Sequence, residues 1–178
     1  VVYAPGNSAT MVDNRFVASV IMKVGAYTIA VGTMPEPAVA RKLLITVTQA
    51  GGVNDTPGTL DIVGTDAADQ ALLETIVPPL NTTKLTVKAF KTVTSITGVA
   101  WVRDAGGGSE DLIKIGTSEA LGLPDKLSDT AQVLAASLAA VKEATAPAVT
   151  VSATVLAQNT VDLNSALNAT AVKIFYVH

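Results

Sequence analysis

Short runs rich in Val, Ile and Thr recur along this chain, and glycine, proline or other turn residues close each run. Within a run, apolar and polar residues alternate, which is the period of a half-buried β-strand. Turn signals at intervals of roughly 8–12 residues are typical of an antiparallel sandwich or barrel, and no regular alternation of strands with helices is present. The pattern predicts an all-β chain, an antiparallel β-sandwich of immunoglobulin-like or jelly-roll-like type, with at most one short helix in the C-terminal third.

The core of such a sandwich must be aliphatic in this chain. Hydrophobic residues make up 49% of the 178 residues but aromatic residues only 4%, so Val, Ile, Leu and Ala must fill the interior. This composition excludes a disordered chain. Because the chain has no cysteine, it has neither disulfides nor thiolate metal sites. Stability must come from packing, hydrogen bonds or assembly.

The clearest local prediction is a β-hairpin in residues 59–76. The segments GTLDIVGTD and QALLETIV each alternate, and DAAD between them supplies turn residues. This predicts a hairpin with a loop of four or five residues. The alternation groups Glu74 with Leu72 and Ile76, yet we expect its carboxylate on the water-exposed or interface side of the strand.

Other segments also predict strands. Residues 16–34 are apolar, but Lys23 and Gly25 interrupt them, so two strands joined by a turn fit better than a membrane-spanning helix. The proline-containing connector TMPEPA follows, and then the strand KLLITVTQA, ending at Gly51-Gly52. LTVKAF and KTVTSI predict two strands or one long bent strand. LIKIGT predicts a short strand that ends at Gly116.

From residue 117 the composition shifts toward alanine. Apolar residues at helical spacing predict a helix over residues 128–143, capped by Ser128 or Asp129. The remainder alternates again and ends in the strand VKIFYV. We expect a β-sandwich core in residues 1–116 and a C-terminal lobe in residues 117–178 that packs on the sandwich or completes it. One continuous sandwich fits the sequence equally well.

The distribution of charge indicates which partners the chain is expected to lack, and the opening residues indicate whether it carries a secretory signal. The net charge is −3, and Arg41-Lys42 is the only adjacent basic pair, so the chain lacks the basic stripe that binds nucleic acid. We expect neither a nucleic-acid nor a membrane partner. The opening residues VVYAPGNSATM have no basic segment followed by a long apolar one, so the sequence predicts no secretory signal.

The acids around the hairpin are the foremost candidate metal ligands, and Glu110-Asp111 beside the glycine-rich loop is a weaker candidate. Asp66 and Asp69, with Asp61 and Glu74 nearby, could supply oxygens to calcium, but calcium takes six to eight ligands and known loops space them more densely. Acids that bond to their own turn explain the spacing better. We therefore expect no metal and no other cofactor, with Asp66 and Asp69 as weak calcium candidates.

No constellation for catalysis is present in the sequence. The one histidine, His178, ends the chain, which excludes a His-based triad. DAGGGSED at residues 104–111 lacks the Lys-Ser/Thr ending of a phosphate loop and predicts a glycine-rich surface loop. We expect Trp101 to fill the core rather than to serve as a ligand platform. The chain is predicted not to be an enzyme.

The order DTPGTLDIVGTD, ETI, AFKTVTSITGVAW, DLIKIG and LGLP resembles a class of small virion structural proteins of tailed bacteriophages. The resemblance covers residues 25–178 and includes NTVDLNSALN, but the hairpin turn carries DAAD where such proteins usually have a glycine. It favours strands over the helix at residues 128–143. The matching residues are Asp55, Thr56, Gly58, Gly64, Thr65, Asp66, Glu74, Thr75, Ile76, Phe90, Lys91, Val93, Thr94, Ile96, Trp101, Ile113, Ile115 and Gly116.

The resemblance implies a structural function rather than a catalytic one. It implies a decoration (cement) protein, non-enzymatic and located on the capsid surface of the virion. Its partners would be the major capsid protein and its own copies, as a homotrimer. A tail or fibre component is an alternative. An extracellular immunoglobulin-like adhesion or carbohydrate-binding module is a second one, motivated by the threonine-rich strands and by the loops at residues 66–69 and 104–111.

Overall fold

The computed structural model describes residues 1–35, 39–50, 55–103 and 110–178. These residues form antiparallel sheets and no α-helix, so the predicted all-β, sandwich-like class is confirmed. Single 3-10 turns lie at Thr130–Gln132 and Leu156–Gln158. The strands are β1 (Val2–Asn7), β2 (Val12–Ile21), β3 (Gly25–Ala26), β4 (Arg41–Thr48), β5 (Thr59–Thr65), β6 (Ala71–Ile76), β7 (Thr83–Phe90), β8 (Thr92–Val99), β9 (Leu112–Gly122), β10 (Val133–Leu138), β11 (Val141–Lys142), β12 (Ala148–Thr150), β13 (Thr160–Asp162) and β14 (Ala171–Tyr176).

The strands assemble into three sheets. The hairpin sheet has the order β3-β8-β5-β6. The central sheet has the order β12-β13-β9-β4-β7, and β2 also pairs with β9. The C-terminal sheet has the order β1-β14-β10-β11, so the first strand of the chain joins the last. The predicted hairpin is confirmed, with Leu60 opposite Ile76 and Thr65 opposite Ala71.

Strand β9 is the spine of the central sheet. One edge pairs with β4 along its length, from Leu112 to Leu121. The other edge pairs first with β2 and then with β13. The expectation that this strand ends at Gly116 is wrong, because it continues to Gly122. Glycine is required at position 116 for another reason: a Cβ there would lie 1.9 Å from the carbonyl oxygen of Val12 in the crossing strand.

Strand β9 contributes to two apolar clusters, with Ile113 and Ile115 in the first and Leu121 in the second. The first is built mainly from residues 16–115, with Phe16, Phe90 and Trp101 among its large side chains. The prediction that Trp101 fills the core is confirmed. The second cluster is built mainly from residues 121–176. The expected boundary between a sandwich core and a C-terminal lobe, at residues 116 and 117, falls inside β9, and this strand contributes side chains to both clusters. The division into core and lobe stays a prediction.

Strands β7 and β8 are one bent run that changes sheet. Only Lys91 separates them, and β7 belongs to the central sheet while β8 belongs to the hairpin sheet. The N–H of Lys91 donates to the carbonyl of Thr65 at 2.7 Å, which holds the bend against the end of β5. Of the two readings of LTVKAF and KTVTSI, a long strand bent between two sheets is the closer description.

The helix expected over residues 128–143 is wrong, and the strand favoured there by the resemblance is found. After the 3-10 turn, Val133–Leu138 forms β10, which pairs with β14. A two-residue turn at Ala139 and Ala140, both with positive φ, leads into β11. Alanine is a strong helix former, but pairing with a strand more than thirty residues later along the chain overrides that local preference.

Two other strand predictions are only partly right. Of the second strand expected in residues 16–34, Gly25–Ala26 alone pairs as a strand, and Thr33 adds a single bridge to Thr92. Of the alternating residues 149–155, only Val149 and Thr150 lie in a strand, at the end of β12. The connector residues 36–38, the Gly51-Gly52 turn and most of the glycine-rich loop, residues 104–109, lie outside the described residues. Within the described ranges no helix is long and apolar enough to span a membrane.

Asn159 fixes the course of the chain in the second cluster. Its side chain is fully buried. The Oδ1 atom accepts the N–H groups of Leu127 at 2.9 Å and Ser152 at 3.0 Å. The Nδ2 group donates to the carbonyls of Ser152, Val155 and Leu156 at 2.9, 3.0 and 3.2 Å. One amide therefore ties together segments that share no strand pairing.

Candidate interaction surface

The acids of the hairpin do not converge. Asp66 is buried, and its Oδ1 accepts the N–H groups of Ala68 at 2.9 Å and Gln70 at 3.0 Å. It shapes its own turn. Asp69 adopts a φ of 61°, and its carboxylate pairs with the ammonium of Lys91 at 2.7 Å. Both weak calcium candidates thus hold hydrogen-bonding partners of the chain itself.

The other two acids lie on opposite sides of the hairpin. Asp61 is on the outer face, where it accepts the hydroxyl of Thr75 at 2.6 Å. Glu74 points inward, so the expectation that its carboxylate lies on the wet or interface side is wrong. The alternation itself had grouped it with Leu72 and Ile76. Among the described residues, no group of three or more His, Asp or Glu side chains is placed to hold a metal ion.

Glu74 is buried because it has a specific partner, the β-bulge in β7. Lys42 pairs with Ala89 while Leu44 pairs with Leu85, so several residues of β7 face Leu43 alone. The N–H groups of Val87 and Lys88 at this bulge point away from β4. They donate to Oε1 and Oε2 of Glu74, both at 2.8 Å. A carboxylate with two such donors can be buried without an unpaired charge-bearing oxygen.

Thr86 completes the bulge from the other side. Its hydroxyl accepts the N–H of Leu43 at 2.8 Å and donates to the carbonyl of Lys88 at 2.7 Å. Side chains therefore satisfy the backbone groups that a regular ladder would have paired. No local pattern predicts this bulge, because it is set by the register of two strands that are distant along the chain.

Lysines lie on the outer side of the junction between β6 and β7, which we call the seam. The ammonium of Lys88 donates to the carbonyl of Leu73 at 2.6 Å, and that of Lys84 to the carbonyl of Val77 at 2.9 Å. Strand β6 is an edge of the hairpin sheet and β7 an edge of the central sheet. Side chains join these two edges where no backbone ladder does.

Apolar side chains flank this seam on its outward side. Leu73 and Val87 are each 53% exposed. Val63 lies opposite Leu73 in the hairpin register and is also exposed. Leu85 follows the same outward pattern as Val87 on β7. We call Val63, Leu73, Leu85 and Val87 the seam ridge.

Outward apolar side chains occur on the other sheets too. The C-terminal sheet exposes Val2, Leu134, Phe175 and, on its strand β11, Val141. A groove of about 520 Å³ lies between β10 and residues 142–149, with alanine and proline prominent in its wall. A second pocket of about 460 Å³ is lined by Val20, Ile21 and Leu112 among others. Neither cavity brings together a set of titratable groups.

The remaining polar groups of the interior are structural. Tyr176 donates its hydroxyl to Asp125, and burial, that hydrogen bond and the carboxylate charge together raise the pKa of Tyr176. Burial raises the pKa of Tyr3 to about 12.

Arg41 is fully buried, and its Nη1 donates to the carbonyl of Ser118 at 3.4 Å. Burial lowers the pKa of Arg41, opposed by the nearby charge of Glu119. His178 is exposed beside the ring of Tyr176.

Comparisons with protein-family models, curated proteins and solved structures find no match to this chain.

Proposed function

We propose that this chain is a structural subunit of a tailed-bacteriophage virion that binds the outer surface of the capsid and stabilises it as a decoration protein. Its partners are the major capsid protein and its own copies, as a homotrimer. The proposal starts from the resemblance of residues 25–178 to small virion structural proteins. It extends to location on the capsid surface and to a role without catalysis.

The observation that carries the proposal is the distribution of exposed aliphatic side chains. Leu73 on the hairpin sheet, Val87 on the central sheet and Leu134 on the C-terminal sheet are each more than half exposed. Scattered apolar residues are normal on a protein surface, but contiguous ones mark sites of association. A subunit that is buried among neighbours after assembly accounts for such faces on every sheet.

The rest of the chemistry supports a binding role. The hairpin acids bond to their own turn, to Thr75, to Lys91 or to the β7 backbone. These carboxylates therefore stabilise the turn and the strands of the fold. A carbohydrate-binding or adhesion module would use loops such as residues 66–69, and there the carboxylate of Asp66 is already engaged.

Quantitative mass spectrometry of purified virions tests the proposal. A decoration protein must be present in a fixed, high ratio to the major capsid protein, because it occupies repeated positions on a symmetric shell. A ratio that corresponds to a handful of copies would replace the capsid role with a tail or fibre role. Absence of the chain from the particle would refute both.

A further inference from the structure

We propose that the seam ridge is the surface by which this chain docks on its shell partner, and that this partner presents an apolar protein face rimmed with carboxylates. The inference rests on the proposed function and specifies which of the exposed faces makes the contact. It is argued from the charge beside the ridge, from the rigidity of the seam and from the size of the ridge.

Two lysines outnumber the single outward-facing acid beside the ridge, Asp61. The ammonium groups of Lys84 and Lys88 donate to backbone carbonyls, and no carboxylate in the described part of the chain forms an ion pair with either. Of the acids near the ridge, Glu74 is turned inward and bonded to two N–H groups, and Asp61 on the outer face of β5 accepts the hydroxyl of Thr75. A chain with net charge −3 thus places two cations without ion-pair partners beside its apolar ridge. Carboxylates on the opposing face complement this arrangement.

The ridge is held in place before it meets a partner. Glu74 follows Leu73 directly, and its carboxylate bonds the N–H of Val87 at 2.8 Å. The two most exposed ridge residues are therefore positioned by one side chain. Contacts that are already ordered lose less conformational entropy on binding, so a rigid ridge binds more tightly than a flexible one of the same area.

The small size of the ridge favours a partner assembly that presents many copies of the same binding site. Four side chains are far fewer than the roughly 20–30 residues per side of a standard stable interface. Such a contact is too small to hold two copies of this chain together in solution. On a shell that offers many equivalent sites to a multivalent subunit, weak contacts add to a strong one.

Co-sedimentation with capsid heads assembled without this chain, purified from the encoding phage, tests the inference. The test variant is Leu73→Asp with Val87→Asp. The matched control is Leu134→Asp with Val141→Asp, which places the same charges at apolar residues at least as exposed on the C-terminal sheet. We expect the ridge variant to bind at least about tenfold more weakly and the control to bind like the parent chain.

A second variant guards against misfolding of the first. Lys84→Gln with Lys88→Gln keeps a hydrogen-bond donor at each position but removes the charge. We expect it to fold, to bind more weakly than the parent chain and to show less dependence of binding on salt concentration. Circular dichroism and the melting temperature of each variant verify folding.

Each other outcome overturns the inference. If the parent chain binds heads and the folded ridge variants bind equally well, the docking face lies elsewhere and only the proposed function survives. If the control loses binding and the ridge variants do not, the C-terminal sheet is the docking face. If the parent chain binds no heads, the proposed function fails as well. Self-association in solution that Leu73→Asp abolishes would assign the ridge to a second copy.

Discussion

The carboxylate of Glu74 in β6 accepts the backbone N–H of Val87 in β7 at 2.8 Å, across the junction of two different sheets. Its second oxygen accepts the N–H of Lys88 at the same distance. The bulge in β7 turns these N–H groups toward β6, and the hairpin register turns Glu74 toward them. One buried acid therefore closes the sandwich where no backbone ladder does.

Removing the Glu74 carboxylate should destabilise the fold strongly. Glu74→Ala leaves the N–H groups of Val87 and Lys88 without their partner in a site where Glu74 is only 7% exposed. We expect the free energy of unfolding to fall by about 2–4 kcal/mol, since an unsatisfied buried polar group costs roughly 1–3 kcal/mol. Urea denaturation measures the loss. Asp61→Ala, which removes an acid from the outer face of the same hairpin, is the control and should change stability by under about 1 kcal/mol.

Equal effects of the two substitutions would contradict this account of the seam. Glu74→Gln provides a further check, because a glutamine oxygen can accept only part of what the carboxylate accepts. It should lie between the parent chain and Glu74→Ala in stability.

Asn159 should be nearly irreplaceable in the second cluster. Asn159→Ala removes two acceptor and three donor contacts from a fully buried site. We expect a loss of at least about 3 kcal/mol of unfolding free energy. The amides of Leu127 and Ser152 should also lose protection in hydrogen exchange. The exposed Asn168 is the matched control, and Asn168→Ala costing as much would show that the buried network is not the cause.

The turn between β10 and β11 should be open to stabilisation. Ala139 and Ala140 have φ of 51° and 64°, a left-handed conformation in which alanine is strained by roughly 1–2 kcal/mol per residue. A two-residue hairpin loop of this kind prefers Asn-Gly. Ala139→Asn with Ala140→Gly should therefore raise the free energy of unfolding by about 1 kcal/mol or more. A lower melting temperature for this variant would mean that the turn has another geometry in solution.

Calcium should leave the stability of the chain unchanged. The Oδ1 atom of Asp66 already accepts two N–H groups of its turn, and Asp69 is paired with Lys91. We expect the same melting temperature in calcium and in a chelator, with Asp66→Ala costing about 1–2 kcal/mol in both. A rise in melting temperature with calcium that Asp66→Ala abolishes would restore the metal hypothesis.

The chain should lose stability in alkali through its three tyrosines, since the fold raises the pKa of Tyr3, Tyr27 and Tyr176. Burial raises the pKa of Tyr3 from 10.0 to about 12, and the pKa of Tyr176 is raised by burial and then by Asp125. Above pH 10 the unfolded chain releases these protons and the folded chain keeps them, so the free energy of unfolding falls as pH rises from about 10 to 12. Below pH 10 this contribution is fully present. Denaturation midpoints along that range measure the fall, and Tyr3→Phe should reduce its slope.

The local sequence pattern was sufficient to predict the hairpin strands but not the position of the Glu74 carboxylate. Alternation in residues 59–76 predicted both strands and the loop length. It also grouped Glu74 with the buried residues, but a carboxylate was expected to avoid burial. The donors that make its burial favourable come from a bulge in β7, and the register of β7 with β4 is a tertiary property that no local pattern contains.

The C-terminal region shows the limit more plainly. Alanine at positions 139 and 140 carries no turn signal, because the residues that mark such a turn are asparagine and glycine. Without that signal the alanine-rich stretch predicts a helix. Pairing of β10 with β14 decides the outcome, and the two strands are separated by the whole of β11, β12 and β13. For the seam ridge the sequence offered only apolar residues on the outer faces of two strands, whose proximity depends on the fold.

The central claim is the proposal that this chain decorates a phage capsid, and a cryo-EM reconstruction of the proposed virion, at a resolution that separates β-strands, tests it most directly. The account predicts that the three-sheet subunit fills repeated, symmetry-related density on the outer capsid surface, with Leu73 and Val87 facing the major capsid protein. Density for this subunit confined to the tail or a fibre, or its absence from the particle, would contradict the account.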